Sequence, residues 1–312
     1  MQPASADASF RRYFRIVTAR QRCILMDAPP AQENVAKFVV NADALRAIHV
    51  RTPIVYARED SLGFLLLEDF GDTTYLNALS QPDANPDTLY KKAIDSLIHL
   101  QSGHHLSPNV VKLPAYDAAW LSMEVGLFQE WYVEHHLNTK LTSAQAAILT
   151  EFQAKLVDTC LTQPQTWVHR DYHSRNLMQI DNNLPGVLDF QDMVLGPLTY
   201  DIASLLKDCY IAWPRAQQMQ WLAYYWQQAS TQLKLPDIDF STLTRWYDLA
   251  ALQRHMKVLG IFCRLNYRDR KPHYMNDLPL VAEYVLETLS MYPEFEAVQD
   301  ALGDLILQAK TT

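Results

Sequence analysis

The chain has 312 residues, of which 49% are hydrophobic and 20% are charged. That composition is typical of a globular protein, and the length suits two lobes better than one small domain. A net charge of −8 argues against a nucleic-acid-binding protein and against binding to anionic membranes, because both need a basic surface.

The cysteines and the apolar segments indicate the compartment. The cysteines are far apart and form no Cys or Cys/His set at metal-binding spacing, so we expect free thiols in a reducing compartment. We find no secretory signal pattern, and no apolar run reaches the roughly 18 residues that a membrane span needs. We therefore expect a cytoplasmic enzyme without a membrane partner, whose oligomeric state the sequence leaves unknown.

The start of the chain predicts a small sheet with one helix. Aromatic and β-branched residues within 8–27 predict two strands. Apolar residues at helical spacing predict a helix over 33–48, and two more strands are expected after it. We expect residues 1–70 to form a β-rich N-terminal lobe, with a hinge near Phe70.

From about residue 75 the chain is mostly helical. Apolar residues recur at 3.6-residue spacing in 89–100, 120–137, 143–161, 216–233, 243–265, 278–291 and 295–307. Two short strands interrupt this series and carry a polar loop between them. We therefore expect residues 71–312 to form a mainly helical C-terminal lobe, which makes the fold class α+β.

The polar loop carries the candidate chemistry. His169, Arg170 and Asp171 follow the first short apolar run, Asn176 comes five residues after Asp171, and Asp189 follows the next run. Phosphoryl transfer from ATP needs a carboxylate that accepts the proton of the attacking hydroxyl, and oxygen ligands that hold Mg²⁺ against the phosphates. The spacing matches the catalytic loop of protein kinases, H-R-D-x-x-x-x-N, and the aspartate of the D-F-G motif that follows it. It predicts Asp171 as the catalytic base and Asn176 and Asp189 as metal ligands, with His169 and Arg170 bracing the loop.

With this loop and its β-rich start, the chain resembles the aminoglycoside-phosphotransferase-like kinases, which are small-molecule relatives of the protein kinases. The resemblance covers nearly the whole chain. It implies a protein-kinase-like, two-lobed α+β fold that uses ATP and Mg²⁺. Residues 1–70 would bind the nucleotide, and residues 71–312 would carry the catalytic loop and the substrate site. The segment 196–203 is similar to the family's segment in which a later aspartate, here Asp201, braces the loop.

Several segments are similar to one group within that family, the bacterial N-acetylmuramate/N-acetylglucosamine kinases of cell-wall recycling. They are residues 6–15, 26–30, 66–71, 188–192 and 252–265. Those enzymes phosphorylate the anomeric hydroxyl of the amino sugar. The resemblance therefore implies a small-molecule amino-sugar substrate and a sugar 1-phosphate that feeds nucleotide-sugar synthesis.

The nucleotide site departs from the general kinase pattern. Residues 8–10 stand where a glycine-rich phosphate loop would, and the third strand, over 24–27, lacks the lysine that faces the phosphates. A cation must come from elsewhere. We predict Arg12 or Arg15 on the second strand, the alternative being that both are solvated strand arginines.

The adenine is expected to lie beside the end of the last strand of the first lobe. The apolar side chains of Leu66, Leu67 and Phe70 would lie against the base. Backbone groups from Glu68 to Phe70 would contact its edge, so the identities of those side chains carry little information.

The sugar is expected near Gln191 and Asp192, which directly follow the predicted metal ligand. Gln191 stands at the position of the glycine in the kinase D-F-G motif. Asp192 could accept a hydrogen bond from a sugar hydroxyl or be an ordinary loop carboxylate.

The segment 245–271 is basic, with seven Lys/Arg against two acids. A solvated helix face is one interpretation of it. The resemblance favours another, in which Arg254 or Arg264 binds the lactyl carboxylate of N-acetylmuramate.

Two other functions stay open at this point. The acceptor could instead be an aminoglycoside, choline or homoserine, although the basic helix argues against polycationic aminoglycosides. The chain could also be a nucleotide-binding pseudokinase that serves as a scaffold. The missing lysine and glycine loop favour that alternative, whereas Asp171, Asn176 and Asp189 oppose it.

Overall fold

A computed structural model describes residues 2–5, 11–19, 21–106, 111–180 and 184–310. The chain divides into two compact units. The first is Met1–Leu113 with Asp171–Met193, and the second is Pro114–Arg170 with Val194–Thr312. The expected glycine-poor phosphate segment, residues 8–10, lies outside the described residues. The division into lobes at residue 70 stays a prediction.

An antiparallel sheet forms the first part of the first unit. Its strands are β1 (Gln2–Ser5), β2 (Arg12–Val17), β3 (Arg22–Asp27), β4 (Val55–Glu59) and β5 (Phe64–Glu68). Within the described residues their order is β1-β2-β3-β5-β4, and each neighbouring pair is antiparallel. Side chains alternate in burial along β5, as a half-buried strand requires. The four predicted strands are confirmed as β2, β3, β4 and β5, whereas β1 was not predicted.

The predicted helix of the first unit is α1 (Val35–Ala47). Asn34 caps it, because its side chain accepts a hydrogen bond from the N–H of Lys37. The apolar positions that predicted this helix are buried: Val35, Phe38, Val39, Ala42 and Leu45. The unit also contains α2 (Tyr75–Leu79), α3 (Pro86–Leu106) and a hairpin of β7 (Leu177–Met178) with β8 (Gly186–Val187).

The second unit is mainly helical and contains one pair of strands, β6 (Gln165–Val168) with β9 (Val194–Pro197). Its α-helices in the described residues are α4 (Ala118–Leu127), α5 (Ser143–Leu161), α6 (Tyr200–Leu206), α7 (Arg215–Gln232), α8 (Phe240–Tyr267), α9 (Leu278–Met291) and α10 (Glu296–Leu307). The bounds of α5 and α9 agree with the prediction. The centre of α8 is buried, and it packs against α4, α5, α6 and α9.

The segment predicted as one helix over 120–137 is two helices of different winding. α4 ends at Leu127 and continues as a π-helix over Phe128–His136. At this junction α8 presents Gly260, and a Cβ there would clash with the backbone carbonyl of Leu127. The spacing of apolar residues alone does not show where the hydrogen bonds of an α-helix give way to the i→i+5 hydrogen bonds of a π-helix.

Replacing Gly260 by alanine is therefore expected to destabilise the protein by about 1–3 kcal/mol, because the helices must separate. Gly126 is a matched control in α4, since a Cβ there would meet nothing within 4 Å. Gly126→Ala should leave stability unchanged or raise it slightly, because alanine is the better helix former. Thermal unfolding of the two variants provides the measurement. Equal melting temperatures would show that the helices do not need this close approach.

All four cysteines carry free, buried thiols. Among the described residues, the helices that reach 18 residues are too polar to cross a membrane.

Candidate active site

The loop after β6 is held by a buried carboxylate of the second unit. Arg170 has a φ of 79°, a left-handed conformation that strains a non-glycine residue by about 1–3 kcal/mol. Asp201, in the first turn of α6, is fully buried. Its carboxylate accepts hydrogen bonds from the backbone N–H of His169 (2.6 Å) and of Arg170 (3.0 Å). These bonds stabilise the strained turn directly before Asp171.

Arg170 is also held through its side chain, by a buried cluster around Glu124 of α4. Glu124 pairs with the Arg170 guanidinium, with the Lys257 ammonium at 2.9 Å and with the Tyr116 hydroxyl. Burial raises the pKa of Glu124, but Lys257 and Arg170 lower it further. The pKa of this carboxyl therefore lies below its usual range. Sequence reasoning missed Glu124, because 46 residues separate it from Arg170 and no local pattern links them.

Glu124→Gln is expected to cost about 3–5 kcal/mol of stability near neutral pH, because it leaves a buried lysine and a partly buried arginine without their carboxylate. The pKa of Glu124 is lowered by folding, so its charge stabilises the folded state above the ordinary value of 4.5 and the gain is lost as the pH falls below it. The difference in melting temperature between wild type and variant should therefore close in acid. Glu151→Gln, an exposed change on α5, is the control. A difference that stays constant from neutral to acid pH would contradict the assignment.

In the first unit, Asp171 and Asn176 lie at the two ends of one compact turn. The side-chain amide of Asn176 donates to the backbone carbonyl of Asp171 at 2.9 Å. Tyr172 anchors the loop to α3, since its hydroxyl donates to the carbonyl of Ala93 at 2.8 Å. The N–H of Leu188 donates to the carbonyl of Asn176 at 2.9 Å. This last bond joins the loop to the segment that carries Asp189.

Asp189 begins a tight turn after β8. Its φ is 60°, which aspartate tolerates better than most residues do. The Gln191 amide donates to its carboxylate at 2.8 Å and to that of Asp192 at 3.3 Å. The Arg11 guanidinium contacts the same Asp189 oxygen at 3.3 Å. Gln191 is buried, and its amide links the two neighbouring carboxylates by these hydrogen bonds.

Helix α1 docks on this turn through Phe38 and through two polar side chains, Lys37 and Asn41, that the sequence did not single out. The amide of Asn41, which is buried, donates to the carbonyls of Phe190 (3.3 Å) and Gln191 (3.1 Å). The rings of Phe38 and Phe190 lie 4.7 Å apart. Lys37 pairs with Asp192 at 3.0 Å. Burial raises the pKa of Asp192, but Lys37, Gln191 and Arg11 together lower it further, so this pKa lies below its usual range.

Asn176 and Asp189 have the chemistry to hold a divalent cation. The Asn176 amide nitrogen is engaged, while its Oδ1 makes no hydrogen bond in the part of the chain that the structure describes. Carboxylate and amide oxygens suit Mg²⁺, which usually takes one or two protein ligands together with water and phosphates. Among the described residues no group of three or more His, Cys, Asp or Glu side chains forms an all-protein metal cage.

The residues predicted to bind the nucleotide lie on the sheet of the first unit. Arg12 is exposed and pairs with Asp27. Arg15 holds the turn after β5, where it contacts Asp69 at 2.7 and 2.9 Å and also Asp72. Both arginines are therefore engaged with carboxylates of their own surroundings.

The residues at the end of β5 form a compact group. Leu67 is buried, and the Glu68 carboxylate pairs with Arg51. The same guanidinium lies 5.0 Å from the centre of the Phe70 ring. Gly186 lets that ring lie against the backbone of β8, because a Cβ would clash with it.

The two arginines predicted to bind the sugar lie on α8 and differ in their surroundings. Arg254 is buried and its guanidinium contacts the Cys209 sulfur at 3.1 Å. Arg264 is half-buried, and its Nε is buried without a hydrogen-bond partner in the described part of the chain. Burial and then the like charge of Arg268 hold the pKa of Arg264 below its ordinary value.

The sequence and the fold are both similar to those of known phosphotransferases. The family model described as phosphotransferase enzyme family matches residues 1–241. The N-acetylmuramate/N-acetylglucosamine kinase of Pseudomonas putida is 44% identical over 302 residues, which cover 97% of this chain and 87% of that protein. The protein of the same name from Pseudomonas aeruginosa is 41% identical, with 97% and 88% covered.

Solved structures show the same fold at low sequence identity. An ADP-bound aminoglycoside phosphotransferase matches with a TM-score of 0.56 and 15% identity, over 91% of each chain. An ethanolamine kinase of Plasmodium vivax matches with a TM-score of 0.62 and 11% identity, over 95% of this chain and 83% of that one. The predicted α+β fold class is thereby confirmed. Sequence and fold agree that this chain belongs to the phosphotransferase enzyme family.

Proposed function

We propose that this chain is an ATP-dependent kinase that phosphorylates the anomeric hydroxyl of N-acetylmuramate and N-acetylglucosamine, in the recycling of the bacterial cell wall. The product would be the sugar 1-phosphate. One observation in the structure carries the catalytic part of the proposal. Hydrogen bonds of 2.9 Å join Asp171 to Asn176 and Asn176 to the residue before Asp189. The names of the two relatives at 41% and 44% identity support the choice of sugars.

In this proposal Asp171 acts as the general base. Its carboxylate accepts the proton of the anomeric hydroxyl while the sugar oxygen forms a bond to the γ-phosphorus of ATP and the bond to the β,γ-bridging oxygen breaks. Asp201 and Glu124 act on the preceding residues, His169 and Arg170, and so keep the loop in its strained conformation.

Asn176 and Asp189 would hold Mg²⁺, and the Gln191 amide would orient the Asp189 carboxylate. When bound, the ion neutralises charge that builds on the transferring phosphoryl group. We place the adenine beside Leu67, Glu68 and Phe70, as the sequence predicts. With ATP as the donor, we place the reaction in the cytoplasm.

For the sugar, we propose that Gln191 and Asp192 line the acceptor site. The carbonyl oxygen of the Gln191 amide is buried without a hydrogen-bond partner among the described residues, so a sugar hydroxyl would satisfy it. Of the two α8 arginines, Arg264 suits a carboxylate better than Arg254 does. An anion would give its buried Nε a partner and offset the like charge of Arg268.

The Arg264→Ala variant should lose at least about tenfold more kcat/KM on N-acetylmuramate than on N-acetylglucosamine, because only the former has a lactyl carboxylate. Arg268→Ala is the matched control one turn further on, where the side chain is exposed and pairs with Asp269. It should change both sugars equally and little. Equal losses on both sugars in Arg264→Ala would refute the carboxylate assignment and leave the kinase assignment intact.

Phosphorus NMR tests the function itself. The protein is incubated with ATP, Mg²⁺ and either sugar, and the spectrum should show a sugar 1-phosphate that is absent for Asp171→Asn. ADP formation without a phosphosugar from either substrate would overturn the choice of acceptor. Nucleotide binding without any turnover would support the pseudokinase alternative.

A further inference from the structure

The first unit contains a buried arginine beside the predicted metal ligand Asp189. Arg11 directly precedes β2, and only 7% of its side chain is exposed. Its guanidinium lies between two carboxylates, 3.3 Å from Asp189 and 3.7 Å from Glu33. Glu33 directly precedes the cap of α1, so the arginine links the start of that helix to the turn of Asp189.

Burying a charge in this way is costly, and such a group persists where its neighbours compensate it. These two distances are longer than the 2.7–2.9 Å that is usual for charge-assisted hydrogen bonds. For comparison, Arg15 contacts Asp69 in a bidentate pair at 2.7 and 2.9 Å. An arginine has five N–H donors, so it can contact two carboxylates and also an anionic ligand.

In protein kinases a lysine contacts the phosphates and forms an ion pair with a glutamate of a helix in the same lobe. A metal-binding aspartate completes this group of charges. The described part of this chain contains the same three charges in one place, with an arginine from the residue ahead of β2 as the cation. Arg12 and Arg15, which the sequence suggested for this role, pair with Asp27 and with Asp69.

We propose that Arg11, positioned by Glu33 and Asp189, is the cation that binds the phosphates of the nucleotide. The proposal goes beyond the kinase assignment and rests on it for the identity of the ligand. It does not depend on which sugar is the acceptor. It also assigns Glu33 as a positioning residue that holds Arg11 between the helix and the turn.

The test is calorimetric binding of a non-hydrolysable ATP analogue and of adenosine, with and without Mg²⁺. Arg11→Met should weaken binding of the analogue about 10- to 100-fold, because a charged hydrogen bond is lost, and leave adenosine unchanged. Arg11→Lys should recover part of the loss. Arg58→Met is the control, since Arg58 lies on β4, is half exposed and pairs with Asp60.

The outcomes separate this inference from the proposed function. Unchanged analogue binding in Arg11→Met, or a phosphate-dependent loss in Arg12→Met or Arg15→Met instead, overturns the role of Arg11 alone. Wild-type protein that binds neither ligand overturns the kinase assignment and this inference with it. If Arg11→Met does not fold, Glu33→Gln serves as the second variant. It should weaken the analogue and spare adenosine, whereas equal weakening of both ligands would reduce Glu33 and Arg11 to structural roles.

Discussion

Replacing Asp171 by asparagine is expected to lower kcat by about 10²- to 10⁴-fold, which is the usual contribution of a positioned general base. Asparagine keeps the shape of the side chain, and the Asn176 amide bonds to the backbone carbonyl of Asp171 rather than to its carboxylate. The loop should therefore keep its conformation. An anomeric hydroxyl is more acidic than an ordinary alcohol, so we expect a loss near the lower end of this range.

The measurement is the initial rate of sugar phosphate formation with each sugar, together with the affinity for the ATP analogue. Both sugars should lose the same factor, because proton transfer from the anomeric hydroxyl is common to them, and nucleotide affinity should be unchanged. Asp158→Asn, an exposed change on α5, controls for the loss of one negative charge. Retention of more than a tenth of the wild-type rate by Asp171→Asn would remove Asp171 from the role of base.

Replacing Asp189 by asparagine is expected to have an effect of similar size but of a different kind. A bound metal ion contributes several kcal/mol of charge stabilisation in the transition state, which corresponds to about 10²- to 10⁴-fold in rate. The variant replaces the charged oxygen that Arg11 and Gln191 contact with a neutral amide. Asparagine is a weaker Mg²⁺ ligand, so the loss should shrink as the Mg²⁺ concentration rises.

A Mg²⁺ titration distinguishes the two variants. Half-maximal activity should require more Mg²⁺ in Asp189→Asn and the same Mg²⁺ concentration in Asp171→Asn as in wild type. The Mg²⁺-dependent gain in affinity for the ATP analogue should also be smaller in Asp189→Asn, which is a measurement independent of turnover. If both variants respond to Mg²⁺ as the wild type does, Asp189 is not a metal ligand.

The sequence identified the features that depend on neighbours along the chain. Helical spacing of apolar residues located α5 and α9, since burial of one face every 3.6 residues is a local regularity. The sequence also predicted Asp171, Asn176 and Asp189 as one site. This was possible because one turn and one hairpin, both short, connect the three residues along the chain. The same residues carried the resemblance that led to the correct family.

The tertiary structure decided which charges meet. Arg11 and Asp189 are 178 residues apart, so their contact depends on the fold that joins β2 to the turn after β8. In the same way, Glu124 meets Arg170 and Lys257 only because α4, α8 and the loop after β6 come together in the second unit. The sequence alone does not distinguish the roles of Arg11, Arg12 and Arg15, which lie in one short segment. Their partners differ because successive side chains of a strand point to opposite faces, and because packing chose which carboxylate each one reaches.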